Sequence, residues 1–205
     1  MQLKKIVNDE LILIIWKIEP NDKYLDLLSS LSDYDLEILK KKTNKIVRHQ
    51  FLCVRNILLK NSISAKIKYR NSGRPYLDDG RKISISHSDE CVGVVISHNH
   101  SFGLDIEKYD KKILNIREKF LHIDDYKFID KDQLIKSLTS IWCAKESIYK
   151  LSGKSSIFYS KNLFVINKSG SKLVFGFKQD SSEIKKFESK YYNTVNFCIC
   201  LTKEI

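Results

Sequence analysis

From Leu11 to Ile18 the chain is almost wholly apolar, which predicts a strand, and Pro20-Asn21-Asp22 is expected to end it. Ser32-Asp33-Tyr34-Asp35 then has the spacing of a helix-start capping box, and the helix it opens is expected to run to about Leu59. On that helix Leu36, Leu39, Ile46, Val47, Val54, Ile57 and Leu58 share one side, and Lys41, Lys45, Arg48 and Arg55 share the other. A solvated face is the ordinary account of such a charge run, although like charges one turn apart repel unless an anion sits against them. The period then shortens to two. Ala65–Arg70, Lys82–Ser88, Cys91–Ser97 and Phe102–Glu107 read as short strands between turn strings such as Asn71-Ser72-Gly73 and Asp78-Asp79-Gly80. Helical patterns return at Ile113–Leu121 and Gln133–Leu151, the second stopped by Ser152-Gly153, before strand-like runs at Asn162–Asn167, Lys172–Lys178 and Thr194–Thr202. Helices interrupt antiparallel runs instead of alternating strictly with them, so the expected class is α+β. No composition shift, linker or repeat marks a domain boundary.

The 205 residues, 42% hydrophobic and 11% aromatic with 7 Gly and 2 Pro, describe a packed globule and exclude collagen-like, low-complexity and disordered chains. The net charge of +11 is shared between residues 1–100 (+5) and 101–205 (+6), so it belongs to the folded surface and favours polyanionic partners. Cys53, Cys91, Cys143, Cys198 and Cys200 form an odd set with mostly apolar neighbours and no C-x-x-C, which predicts buried thiols in a reducing compartment. The run Leu11–Trp16 is too short for a membrane span and has no small-residue cleavage site after it, so a cytoplasmic protein is expected.

Three constellations could carry chemistry. In Gly103-Leu104-Asp105-Ile106-Glu107 the strand period puts Asp105 and Glu107 on one face, a pair suited to a hard cation such as magnesium. An exposed strand with alternating polar residues gives the same string. In Trp142-Cys143-Ala144-Lys145-Glu146-Ser147-Ile148-Tyr149-Lys150, Glu146 and Lys150 lie one turn apart, which also describes a plain ion pair worth about 0.2–0.5 kcal/mol. Lys145, however, falls in the apolar stripe of Leu138, Ile141 and Ile148, where a lysine must snorkel, meet a buried anion or contradict the helix assignment. Finally, Ser84, Ser86 and His87 at a strand end, preceded by Gly73-Arg74-Pro75, could hold phosphate oxygens. A histidine satisfied by neighbouring backbone is the commoner reading of His87, and no G-x-S-x-G elbow makes any of these serines a nucleophile.

Taken in order and with these gaps, G-R-P, S-H-S, G-L-D-I-E and W-C-A-K-E-S-I-Y-K resemble the signature of the surfactin-type 4'-phosphopantetheinyl transferases over roughly residues 73–154. The helix carrying Arg48 and Arg55 fits the family more loosely, and the last fifty residues fit only as strands. The resemblance implies two pseudo-twofold-related α+β halves with the active site in the cleft between them: residues 1–100 on the cofactor-phosphate side and 101–205 with the metal ligands and catalytic helix. It implies a cytoplasmic, monomeric enzyme that moves the phosphopantetheine arm of coenzyme A onto a serine of an acyl or peptidyl carrier protein, with Mg2+ or Mn2+. By position, Asp105, Glu107 and Glu146 match the metal ligands, and Lys150 matches the lysine beside the reacting phosphate. Arg74, Ser86 and His87 match residues on the cofactor's phosphates, and Lys145, which also stands at a family lysine, is expected among the cofactor-binding residues. Arg74 replaces the usual lysine of G-K-P, Cys143 a small polar residue, Asp125 a glutamate, and Gly153-Lys154-Ser155 stands for G-K-G.

On this reading Glu146 takes the serine proton directly or through an intervening water, Asp105 belongs to the same catalytic set, and Lys150 steadies the phosphates or the leaving oxygen. Lys41, Lys45 and Arg48 are expected to steer the anionic coenzyme and an acidic carrier, with Arg48 touching the cofactor. Nucleic acid and membrane are not expected partners. Two alternatives compete. A metal-dependent nuclease also needs paired carboxylates and a basic groove, but it wants E-x-K where this chain reads Glu107-Lys108-Tyr109. A basic nucleic-acid-binding protein would explain the charge but not the three carboxylates.

Overall fold

The computed structural model describes residues 1–18, 25–153, 157–179 and 183–205, so the turn expected at Pro20–Asp22 and the residues Lys154 and Ser155 lie outside the described residues. The chain divides into two compact units, Met1–Asn99 and His100–Ile205.

The first unit carries β1 (Gln2–Val7), β2 (Leu11–Lys17), α1 (Leu25–Leu28), α2 (Asp33–Lys41), α3 (Lys45–Lys60), β3 (Ile67–Tyr69), β4 (Pro75–Leu77), β5 (Lys82–Ser88) and β6 (Cys91–Ser97). Its main sheet has the order β1-β2-β6-β5, antiparallel throughout, and β3 pairs with β4. Ile14, Trp16, Val92 and Val94 from the sheet meet Phe51, Val54, Ile57 and Leu58 of α3 in one core.

The single helix expected over 32–59 is two helices. Asn44 breaks it, because its side chain accepts from the backbone N–H of Ile46 and Val47 and so starts a new helix. The break rotates the faces. Ile46 and Val47 are exposed, whereas Arg55, expected on the solvated side, is buried with its guanidinium 2.7 Å from Asp35 and stacked 3.6 Å above the ring of Phe51. Arg48 donates to the carbonyls of Leu39 at 2.7 Å and Lys42 at 3.1 Å, tying α3 to the open end of α2. The strand β1 was not legible in the pattern because it is an edge strand exposed at most positions, with no apolar face to announce it.

The second unit carries β7 (Gly103–Lys108), α4 (Ile113–Phe120), a 3-10 turn (Ile123–Phe128), α5 (Leu134–Ser152), α6 (Tyr159–Asn162), β8 (Leu163–Ser169), β9 (Lys172–Phe177), β10 (Lys185–Asn193) and β11 (Phe197–Glu204). Its antiparallel sheet has the order β7-β11-β10-β9-β8, and α5 lies across β7, β11 and β10. Gly153 caps α5 in the left-handed region at φ 64°, as the Ser152-Gly153 stop predicts. The unexpected strand is β10, whose pattern of lysines and tyrosines buries only Phe187 and Ser189. Both units are mixed α+β. Among the described residues no helix is long and apolar enough to cross a membrane.

Candidate active site

The site in the second unit begins with how closely α5 approaches the sheet. In register, Gly103 pairs with Thr202, Asp105 with Cys200 and Glu107 with Cys198, so all six lie on one face of β7 and β11. That face meets α5 through small side chains. Cys143 donates to the Cys198 carbonyl, Cys198 lies 3.6 Å from the Ser140 hydroxyl, and Ser147 bonds the Thr202 hydroxyl, which also bonds Ser189 at 2.7 Å. Gly103 has no side chain to offer: a Cβ built there would stand 1.9 Å from the Ser147 carbonyl oxygen. The seam is narrow where Gly103 meets Ser147 and where small residues such as Cys143, Cys198 and Thr202 face one another, and Asp105 reaches Lys150 of the helix across it. All five cysteines are buried free thiols, as their apolar neighbours suggest.

Along this seam the structure brings together four of the residues singled out in the sequence. The Lys150 ammonium lies 2.7 Å from Asp105 Oδ1, with Asp105 itself 4% exposed. Trp142, one turn before Glu146, donates its indole N–H to Glu107 Oε1 at 2.9 Å. Glu146 lies within electrostatic reach of Asp105, Lys150 and the Tyr159 hydroxyl. The three carboxylates feel one another. Burial, the charge of Asp105 and, more weakly, that of Glu146 push the Glu107 carboxyl up to about 7. Glu146 is also raised, by burial first and then by Asp105, against the lowering pull of Tyr159 and Lys150. This is an all-oxygen donor set with an excess of negative charge, which suits a hard divalent cation in kind. It is not a finished cage: among the described residues no three His, Cys, Asp or Glu side chains converge as a ready metal cluster. Lys150 instead holds Asp105, and Trp142 holds Glu107.

Crowding of this sort has a measurable consequence. A carboxyl whose folded pKa exceeds its ordinary value of 4.5 binds its proton more tightly in the folded chain, so folding stability is lost as pH climbs from about 4.5 through about 7. In metal-free buffer the wild type is expected to weaken across that interval relative to Glu107→Gln, which has no proton to lose. Urea midpoints of both proteins over the interval test this, and parallel curves would refute it.

Lys145 does not join the group. It is fully buried, and its ammonium bonds Asp125 Oδ2 at 2.6 Å and the carbonyls of Phe120 (2.7 Å), Leu163 (2.8 Å) and Tyr159 (3.2 Å). With four acceptors around three N–H bonds, it has nothing left for a cofactor, which corrects the expectation that placed it there. Burial pulls its pKa down and Asp125 opposes that pull. Asp125, also fully buried, accepts from the backbone N–H of His122 and of Val165 as well. The aspartate is shorter than the glutamate expected by resemblance, but the 3-10 turn that carries it brings it within reach.

Arg48, Arg74, Ser86 and His87 belong to the first unit. Arg74 follows Gly73, whose φ of 79° makes the turn into β4. On β5 the period of two turns Ser86 inward, 3% exposed, and leaves His87 on the surface. Sequence reasoning missed two residues of the second unit's site, Trp142 and Tyr159. Trp142 sits within a motif and its spacing from Glu146 could have drawn attention; nothing local marks Tyr159.

Residues 101–201 match the 4'-phosphopantetheinyl transferase superfamily. A relative from Aneurinibacillus migulanus, "4'-phosphopantetheinyl transferase gsp", is 33% identical over 141 residues, which is 67% of this chain. The matched stretch spans 57% of that relative's length.

Proposed function

Because residues 101–201 make this chain a member of the 4'-phosphopantetheinyl transferase superfamily, we propose that it transfers the phosphopantetheine arm of coenzyme A to a serine hydroxyl of an acyl or peptidyl carrier protein, with Mg2+ or Mn2+ as cofactor. The observation that carries the reading is the meeting of Asp105, Glu107, Glu146 and Lys150 on one seam between β7 and α5. Asp105, Glu107 and Glu146 would hold the divalent ion. When bound, the ion neutralises phosphoryl oxygens that would otherwise repel an incoming hydroxyl.

The chain's own residues supply the rest. Glu146 accepts the serine proton as the serine oxygen bonds to the phosphorus that bears the pantetheine arm. The bridging P–O bond breaks, and its electron pair leaves with adenosine bisphosphate. Lys150, beside Asp105, steadies the charge on the leaving oxygen. Arg48, Arg74, Ser86 and His87 are the proposed phosphate-binding residues of the first unit. The five buried thiols support a reducing, cytoplasmic setting. The nuclease alternative asked for a lysine two positions after Glu107; Tyr109 stands there and donates its hydroxyl to Asn193 at 2.8 Å.

Incubation with coenzyme A, Mg2+ and a panel of apo-carrier proteins, followed by intact-mass measurement, tests the activity: the carrier gains one phosphopantetheine. Glu146→Gln is expected to lower turnover at saturating Mg2+ by about 100-fold or more. Near-normal turnover of that variant would remove Glu146 from the base role, and no mass gain on any carrier with the wild type would overturn the assignment.

A further inference from the structure

Near its start α5 lines a cavity of about 190 Å3 whose walls come from the second unit alone. Ser137 faces this cavity, and Glu146 stands nine positions further along the helix. At 3.6 residues per turn that is two and a half turns, so the two side chains leave α5 on opposite sides, about 13 Å apart along its axis. The cavity opens away from Glu146.

Its rim is polar and its floor apolar. On the rim stand Gln133, Lys136 and Ser137 from the start of α5, Lys168 from β8 and Asn193 from the end of β10. Each keeps a donor without a partner among the described residues. The Lys168 ammonium uses one N–H on the Phe128 carbonyl at 3.0 Å, and the Asn193 amide is engaged only through its oxygen, which accepts from Tyr109. Nothing among the described residues holds the side chains of Gln133 and Lys136. Ser137 is 9% exposed, and its oxygen accepts from the Asp130 backbone N–H at 3.1 Å, but its own proton has no acceptor among the described residues. A buried donor left in that condition is costly until an acceptor reaches it. The carboxylate of Asp130 also borders the cavity, but it is engaged within its own turn by the backbone N–H of Asp132 at 3.0 Å, and two ammonium groups outweigh it. Ile141 and Leu173, both buried, make the floor with Phe128 beside them.

We propose that this cavity binds a small organic anion, with its carboxylate or phosphate head on Lys136, Lys168 and the Ser137 hydroxyl and a short apolar body against Ile141, Leu173 and Phe128. The physical ground is the mismatch within the lining. Donors in excess of acceptors call for a head that only accepts, and ammonium groups make the bonds to it charge-assisted. The floor favours a carbon skeleton over water. A bare inorganic ion would leave that floor uncovered, and a neutral aromatic would leave both ammonium groups and the serine proton unmet. The site is independent of the transferase reading, since none of its residues serves the proposed chemistry.

Phenyl phosphate and benzoate carry the two heads on one apolar body and serve as probes. Each is titrated into the isotopically labelled full chain with coenzyme A saturating and no divalent metal, and amide resonances are followed by nuclear magnetic resonance. At least one probe is expected to shift the amides of Lys136, Ser137, Lys168 and Asn193 with a dissociation constant of about 1 mM or tighter, and the tighter of the two identifies the head. Inorganic phosphate and benzyl alcohol should each bind there at least about 5-fold more weakly than the better probe. Lys136 is exposed, so Lys136→Gln leaves the fold alone and should weaken the better probe about 3-fold or more. Adding Lys168→Gln should bring the loss to about 10-fold or more. Omitting coenzyme A should change the affinity by less than about 2-fold. Shifts confined to Trp142, Glu146 and Lys150, no shift from either probe at about 10 mM, equal binding of benzyl alcohol, or undiminished binding by Lys136→Gln would each overturn the proposal. The transferase reading is judged separately, by the mass of the carrier.

Discussion

Lys145→Met is expected to destabilise the folded chain by about 3–5 kcal/mol, the range for removing one partner of a buried ion pair. Methionine fills the apolar stripe of Leu138, Ile141 and Ile148 nearly as well as the lysine stem does, so packing is not the source of the loss. The source is Asp125, fully buried, which keeps its charge and two backbone donors but loses the ammonium 2.6 Å away. The carbonyls of Phe120, Leu163 and Tyr159 lose their donor at the same time. Those three carbonyls lie at the end of α4, the start of β8 and the start of α6, so one ammonium ties three elements to α5. Adding Asp125→Asn to Lys145→Met should recover part of the loss, because no net charge is then buried. Urea unfolding of the single and double variants measures both effects, and a single variant within about 1 kcal/mol of wild type would contradict the account.

Gly103→Ala is the second large effect, and its cause is backbone against backbone. The added methyl would stand 1.9 Å from the Ser147 carbonyl oxygen and 2.8 Å from its carbon, distances no Cβ tolerates, and a helix carbonyl cannot swing aside as a side chain can. The only relief is for α5 to lift from β7. Overpacking ordinarily costs about 1–3 kcal/mol, and this case belongs at or above the upper end. Lifting the helix also stretches the Lys150–Asp105 and Trp142–Glu107 contacts, which span the same seam at 2.7 and 2.9 Å. Turnover per folded molecule should therefore fall about 10-fold or more, by the misplacement argument for reacting groups. Wild-type turnover in a variant that folds with a wild-type midpoint would show that the close approach is not needed.

These two residues also show where the sequence could be read and where it could not. The class, the elements from β5 to α5, the buried thiols and the stop at Gly153 were all legible, as was the short list Asp105, Glu107, Glu146 and Lys150. Strand and helix periodicities are local, so two carboxylates two apart on a strand, or an acid and a base one turn apart on a helix, declare their shared face without knowledge of the rest of the fold. The helix break at Asn44 was missed because a capping asparagine inside an amphipathic run looks like one more polar position. The strands β1 and β10 were missed because each buries too little to impose a pattern.

Lys145 illustrates the limit best. Its placement in an apolar stripe required an anion, an outlet to water or a different helix assignment, and nothing local chose among them. The choice fell to an aspartate twenty residues earlier, with carbonyl support fourteen and eighteen residues later. Trp142 on Glu107 and Cys198 beneath Cys143 are contacts of the same kind. Side-chain spacing along a single element is set by covalent geometry and is therefore present in the sequence. The identity of a buried charge's partner depends on which distant segments pack against it, and that is settled when the hydrophobic faces close and every polar group left inside must find a donor or an acceptor.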